Sequence, residues 1–281
     1  MNFEKLVLDH EPIIRIGFFV GVFALIGLWE LLSPRRALSL PRTLRWRSNL
    51  ALVALNTVLL RLLFPAAAVG VAAFCAARGW GLLHHFAVPF WLAVPLAVVA
   101  MDLAIWLQHV MVHAVPVLWR LHQVHHADLD YDLTTGARFH PIEIVLSMLI
   151  KFATITVLGP PVVAVVIFEV MLNATAMFNH GNIRLPAKLD ALLRWVLVTP
   201  DMHRVHHSVE NDECNTNFGF SLTWWDRLSG TYRAQARAPQ SNMSIGIHGH
   251  HNPHEVAHLG GMLMMPFHGE AGGYAISRRR L

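Results

Sequence analysis

The chain has 281 residues, of which 54% are hydrophobic and only 14% charged, against roughly 25% charged in soluble domains. That leaves too little polar side chain for a water-soluble globule and excludes disorder. The net charge of +4 comes from arginines beside apolar runs, which suits a membrane surface better than nucleic acid, and two cysteines exclude a disulfide framework, a cysteine zinc site and an iron–sulfur cluster.

A helix needs about 20 apolar residues to cross roughly 30 Å of hydrocarbon. Ile13 to Leu32 is the first such run, with Arg15 and Glu30 near its ends. The preceding MNFEKLVLDHEP carries acids and no basic n-region, so a retained span is expected, not a cleaved signal peptide. Next comes SPRRALSLPRTLRWRSN, with Arg35, Arg36, Arg42, Arg45 and Arg47 and no acid. The positive-inside rule puts it in the cytoplasm and the N-terminus outside. Leu50 to Ala77 contains Arg61 and Pro65 and is either a tilted helix or a helix plus a bent segment. The loop Arg78 to His85 is then external, and Phe86 to Gln108 returns the chain to the cytoplasm, where the basic end Arg278 to Arg280 also belongs. The apolar region Ile142 to Phe178 is interrupted by Gly159, Pro160 and Pro161, which predicts a hairpin over 142–179 that enters and leaves on one side. The expected fold is therefore all-α: an integral membrane helical protein of about three transmembrane helices plus a broken helical hairpin, with a cytoplasmic helical cap carrying the histidines. The chain divides into an N-terminal transmembrane region (1–99), a catalytic region (100–235) and a C-terminal tail (236–281).

Histidine is in excess, at 19 residues. Nine of them fall in clusters beside one predicted membrane face: QHVMVH with His109 and His113, LHQVHH with His122, His125 and His126, FNHGN with His180, and MHRVHH with His203, His206 and His207. Even at this histidine frequency, two HxxHH strings should occur by chance in fewer than about one sequence in a hundred. Residues three and four apart share a helix face, and imidazole suits iron, zinc and copper. Nine donors exceed the needs of one ion, and a dinuclear site uses them all. Packing so many imidazoles with no metal would strand buried polar groups. Asp102, two turns before His109 on the same face, is placed to accept an imidazole N–H or to pair with Arg61. Glu169 and Asn173 share the face of His180 roughly, and make either a polar stripe toward it or simple helix–helix hydrogen bonds. His10, His84 and His85 read as interfacial or solvated, and the histidines from His248 to His268 read as part of a loose tail.

Taken with ARFHPIE, FNHGNIRLP, VTPDMHRVHHS and NTNFGFSLTWWDRLSGTY, these boxes resemble the fatty acid hydroxylase and sterol desaturase family of membrane di-iron oxygenases over most of Ala100 to Arg233. The resemblance implies two irons held at the cytosolic face by His109, His113, His122, His125, His126, His203, His206 and His207. His180 falls where some members supply a histidine pair, so that a water, Asn182 or His140 is left to complete one metal's ligand set. The implied activity is O2-dependent hydroxylation or desaturation of an unactivated C–H bond in a lipid such as an acyl chain or sterol. Two electrons would come from a separate reductase, through a ferredoxin or b-type cytochrome docking on the basic cytoplasmic face. No haem-attachment motif, dinucleotide glycine pattern or CxxC occurs in the chain.

Two other classes compete. A histidine-rich metal transporter or store would place its ligands near mid-membrane on broken helices, whereas these clusters follow the ends of spans. A zinc-dependent membrane hydrolase is consistent with zinc substituting for iron at imidazole, but no HExxH glutamate is present.

Overall fold

The computed structural model describes residues 3–268 and 274–276. Arg278 to Arg280 lie outside the described residues. Within them the chain is helix and loop, with isolated bridges such as Leu197 to Leu222 instead of strands. Five stretches are long and apolar enough to cross a membrane: Glu11–Leu32, Arg42–His85, Phe90–Ala114, Pro141–Leu158 and Val162–Asn179.

The N-terminal helices are α1 (Phe3–Asp9), α2 (Glu11–Leu32), α3 (Arg42–Leu63), α4 (Ala67–Arg78) and α5 (Leu82–His85). Of the two forms open to residues 50–77, the structure takes the helix plus bent segment, because Pro65 removes a backbone donor where α3 would otherwise continue. The helices that carry the histidines are α6 (Phe90–Ala114), α7 (Pro116–His126), α8 (Pro141–Leu158), α9 (Val162–Asn179), α10 (Ala187–Leu193) and α11 (Pro200–His206). Three of them start by one device. Val115, His140 and Thr199 each precede a proline and are extended, with ψ of 116°, 141° and 161°, so that α7, α8 and α11 begin at the proline itself. α6 runs past Gln108 to Ala114, and QHVMVH is its last part.

α9 is the central element, packing against α2, α4 and α6, while α8 packs against α3, α4 and α6. Met101 and Ile105 of α6, Ile155 of α8 and Val165 and Phe168 of α9 form the core between them. α8 and α9 are separate helices joined by a turn at Gly159, which lies in the left-handed region (φ 60°). A Cβ there would lie 2.1 Å from the Trp80 carbonyl oxygen, so the turn abuts the α4–α5 connection and tolerates only glycine. Lys151 and Arg15 both pair with Glu169, at 2.6 and 2.8 Å. This triad accounts for the charges inside these apolar helices, and Glu169 is therefore a helix tie and not a stripe toward the histidines.

The arginine-rich segment is partly helical, and three of its five arginines are tied down. Arg35 pairs with Asp201 (3.0 Å), Arg36 Nη1 donates to the Met243 carbonyl (2.8 Å), and Arg45 is fully buried against Asp128 and Asp132. Asp130 accepts from the backbone N–H groups of Ser39 (2.8 Å) and Leu40 (2.9 Å), and Glu30 from those of Leu133 and Asn182 (both 2.8 Å). These contacts fasten the loop between α7 and α8 to α2 and α3.

The short helices α12 (Asn211–Cys214), α13 (Trp224–Ser229), α14 (Pro253–Val256) and α15 (Leu259–Met264) complete the described fold. The expectation of a loose tail does not hold for its described part. Val256, Met262, Met265 and Tyr274 share a core with Leu52, Trp119, Val124 and Cys214. The apolar run GGMLMMPF supplies the burial, a signal masked by the neighbouring histidines, glycines and prolines.

Candidate metal centre

The nine histidines converge. His109, His113, His122, His126 and His206 form one group and His125, His180, His203 and His207 another, with the donor atoms of each group within 4.8 Å of one another. All nine side chains are at most 2% exposed. α6 carries two of them one turn apart, α7 and the end of α11 three each, and His180 caps the C-terminus of α9. The two groups are contiguous: the rings of His126 and His207 stack at 4.5 Å, and those of His122 and His125 lie 5.2 Å apart.

Hydrogen bonding fixes which ring nitrogen is free. Nδ1 of His109 donates to the Phe218 carbonyl (2.7 Å), that of His206 to the Thr216 carbonyl (2.7 Å) and that of His180 to the Ala176 carbonyl (2.8 Å). Nδ1 of His122 donates to Glu143 Oε1 (2.6 Å) and that of His113 to Asn215 Oδ1 (3.2 Å), whose amide nitrogen is itself engaged by the Asn211 and Tyr274 carbonyls. These acceptors hold no proton to give, so each Nε2 turned inward is a bare lone pair. Yet Nε2 of His109 lies 3.1 Å from Nε2 of both His122 and His206, and Nε2 of His180 lies 3.3 Å from that of His125 and 3.2 Å from that of His207. Two nitrogens each ~2.1 Å from one cation sit about 3.0 Å apart at a right angle and about 3.4 Å apart at the tetrahedral angle. The observed separations are those of neighbouring ligands, and a cation resolves the lone-pair repulsion. His203 Nε2 is likewise buried without a hydrogen-bond partner.

Electrostatics agree. Burial, reinforced by neighbouring imidazoles, pushes His125, His126, His203 and His207 well below the usual imidazole range, and burial takes His180 and His206 down to about 3. These rings are neutral at pH 7, the state that ligates a metal.

Three residues expected near the metals stand elsewhere. Asp102 does not touch His109; its Oδ2 accepts from Trp225 Nε1 (2.8 Å) and the Leu222 N–H (3.3 Å), because the closing loop and not the helix face turns toward it. His140 caps α8, its Nδ1 accepting from the Ile142 N–H (3.2 Å) while Nε2 donates to the Leu263 carbonyl (3.2 Å). Asn182 bonds Arg36 on both sides, accepting from its N–H (3.1 Å) and donating to its carbonyl (2.9 Å). Residues not foreseen are Glu143 and Asn215, which lie in the ARFHPIE and NTNFGF strings, and Asp226. Asp226 accepts from the N–H groups of Phe218 (2.9 Å) and Gly219 (2.8 Å) and so aims the Phe218 carbonyl at His109.

Glu143→Ala removes the acceptor that orients His122, and metal affinity or activity should fall about 10–100-fold; titrating metal into variant and parent checks this. Gly136 approaches the second group closely: a Cβ there would lie 2.6 Å from the Ala176 carbonyl oxygen and 3.0 Å from His180 Nδ1. Gly136→Ala should displace His180, read as loss of metal from the four-histidine group with secondary structure retained.

The helical bundle, with five stretches long and apolar enough to cross a membrane, encloses two buried imidazole groups that could each hold a metal ion. Residues 94–231 match the fatty acid hydroxylase family model. The alkylglycerol monooxygenase of Xenopus tropicalis is 31% identical over 143 residues, covering 49% of this chain and 30% of that protein. The ornithine lipid hydroxylase OlsE of Rhizobium tropici is 29% identical over 161 residues, covering 57% and 47%. The Delta(7)-sterol 5(6)-desaturase erg3B of Aspergillus fumigatus is 27% identical over 224 residues, covering 74% and 60%. The matches thus span less than two thirds of these curated relatives. No solved structure matches the chain.

Proposed function

We propose that the protein is a membrane-bound di-iron oxygenase that hydroxylates or desaturates an unactivated C–H bond of a lipid, using O2 and two electrons from an external protein donor. The observation that carries this is the division of nine buried imidazoles into five and four at ligand spacing. His109, His113, His122, His126 and His206 would hold one iron, and His125, His180, His203 and His207 the other. Bound iron would supply O2 activation. The chain's own residues fix the rings through Glu143, Asn215 and backbone carbonyls, and they keep water out by burying every ligand. The relatives named above are a monooxygenase, a hydroxylase and a desaturase of lipids, which supports lipid as the substrate class.

In the membrane, α2, the α3–α4 unit and α6 would make three crossings and α8–α9 the hairpin, with the histidines and C-terminus cytoplasmic and the N-terminus outside. A ferredoxin or b-type cytochrome would deliver electrons on the histidine side.

The test is chemical. Protein purified anaerobically should contain two irons per chain and consume O2 on reduction, and lipid extracts of expressing cells should gain species with one added oxygen or two fewer hydrogens. Zinc-loaded, redox-inert protein that retains activity would instead establish a hydrolase.

A further inference from the structure

Five aromatic rings besides the histidines lie against the metal-binding imidazoles, and they differ in one respect. Trp119, Tyr131 and Phe218 are sealed, at 0%, 0% and 1% exposure. Phe139 and Phe220 are only partly buried. These two also stand together and span both histidine groups. Phe139 stacks on His125 of the four-histidine group (centroids 4.5 Å, planes 11° apart) and lies 6.1 Å from His122 of the five-histidine group. Phe220 lies 4.9 Å from His109 of the five-histidine group and 6.2 Å from His203 of the four-histidine group, and the two phenyl rings are 6.5 Å apart. On its other side Phe220 packs on the apolar core formed by Met101, Ile105 and Phe168 of α6 and α9.

Membrane helices hold the backbone of both rings. Asn56 of α3 donates to the Phe139 carbonyl (2.9 Å) and Asn179 of α9 to the Phe220 carbonyl (2.7 Å). The pair is thus anchored and apolar, at the junction between the histidines and the interior of the helical bundle.

We propose that Phe139 and Phe220 form the wall through which an apolar substrate chain reaches the histidines from the bundle interior, and that they set which of its carbons is presented there. This rests on the oxygenase reading. The alternative approach is a cleft between α6, α7 and α8 lined by Gln108, Leu118, Glu143, Leu146 and Ile150. It ends on Glu143, which engages the outer nitrogen of His122, so a molecule there meets a carboxylate and not the inward-facing nitrogens. A phenyl wall offers no hydrogen bond, so it selects hydrocarbon by shape alone, and one methylene more or less changes fit by about 10–200-fold at most. Removing ring volume should therefore broaden the position of attack without eliminating reaction.

Two measurements test this on the full chain. In phosphatidylcholine vesicles, N-dodecylmaleimide should alkylate Phe220→Cys and Phe139→Cys at least about tenfold faster than Phe218→Cys, since the sealed position must first open locally. Each rate is taken above that of the parent chain, whose Cys75 and Cys214 are both buried. Equal rates at 218 and 220 overturn the proposal. In cells, Phe139→Leu and Phe220→Leu should keep the parent's iron content but change the ratio of oxidised positions in the lipid product severalfold, located by fragmentation mass spectrometry. An unchanged ratio also overturns it. If the parent itself makes no oxidised lipid, the oxygenase reading fails, and the labelling result still reports whether the wall is open to an apolar chain.

Discussion

His125→Ala and His206→Ala should each abolish the proposed lipid oxidation while leaving expression and helical content close to those of the parent. One residue is taken from each group, so the pair tests whether both halves are needed. His206 is the stricter case, because its Nε2 lies 3.1 Å from that of His109 and its Nδ1 is aimed by a main-chain carbonyl. Alanine there leaves four donors and a cavity, and bound iron per chain should fall with the activity. Full activity in either variant would remove that histidine from the ligand set. His254→Ala is the matched control: His254 is exposed, and among the described residues its ring stacks on His258 (5.1 Å). That variant should match the parent in iron content and product yield.

Arg45→Ala destabilises the protein by about 3–5 kcal/mol, because it strands Asp128 and Asp132 in the interior. Arg45 Nε and Nη2 bond the two oxygens of Asp128 at 2.8 and 2.7 Å, and Nη1 bonds Asp132. Burial alone would raise the Asp128 carboxyl, but Arg45 and Arg138 outweigh it and hold the group below the usual carboxylate range. The cost is a large fraction of the ~5–15 kcal/mol that stabilises a domain. Lysine cannot restore the forked contact, so Arg45→Lys should recover little. Detergent-solubilised variants should show the loss as a lowered denaturation midpoint, and a shift worth less than about 1 kcal/mol would mean that water reaches the pair.

Much of this molecule is legible in its sequence, for identifiable reasons. The break between α8 and α9 follows from Gly159-Pro160-Pro161, and the two HxxHH strings bring their imidazoles together because a helix repeats its face every three or four residues. His180 joins the four-histidine group although its neighbours contain no second histidine, since the end of α9 meets α11 there. What could not be read was set by contacts between distant segments. Asp102 lies on the expected face of α6 but bonds the loop after Phe218, 120 positions on. Arg35 and Arg45 look like parts of a surface charge run until Asp201 folds against the first and Asp128 and Asp132 against the second. Which histidine joins which group was also hidden, because adjacent His125 and His126 fall in different groups, as do His206 and His207.

His109, His206 and His180 take their orientation from peptide oxygens of Phe218, Thr216 and Ala176. No point substitution deletes a peptide oxygen, so a third of the imidazole alignments are shielded from ordinary mutation. Side chains around Phe139 and Phe220 have no such protection and can drift freely. Under the proposed oxygenase reading, a lineage could therefore vary its contact with hydrocarbon while the imidazoles stay in register.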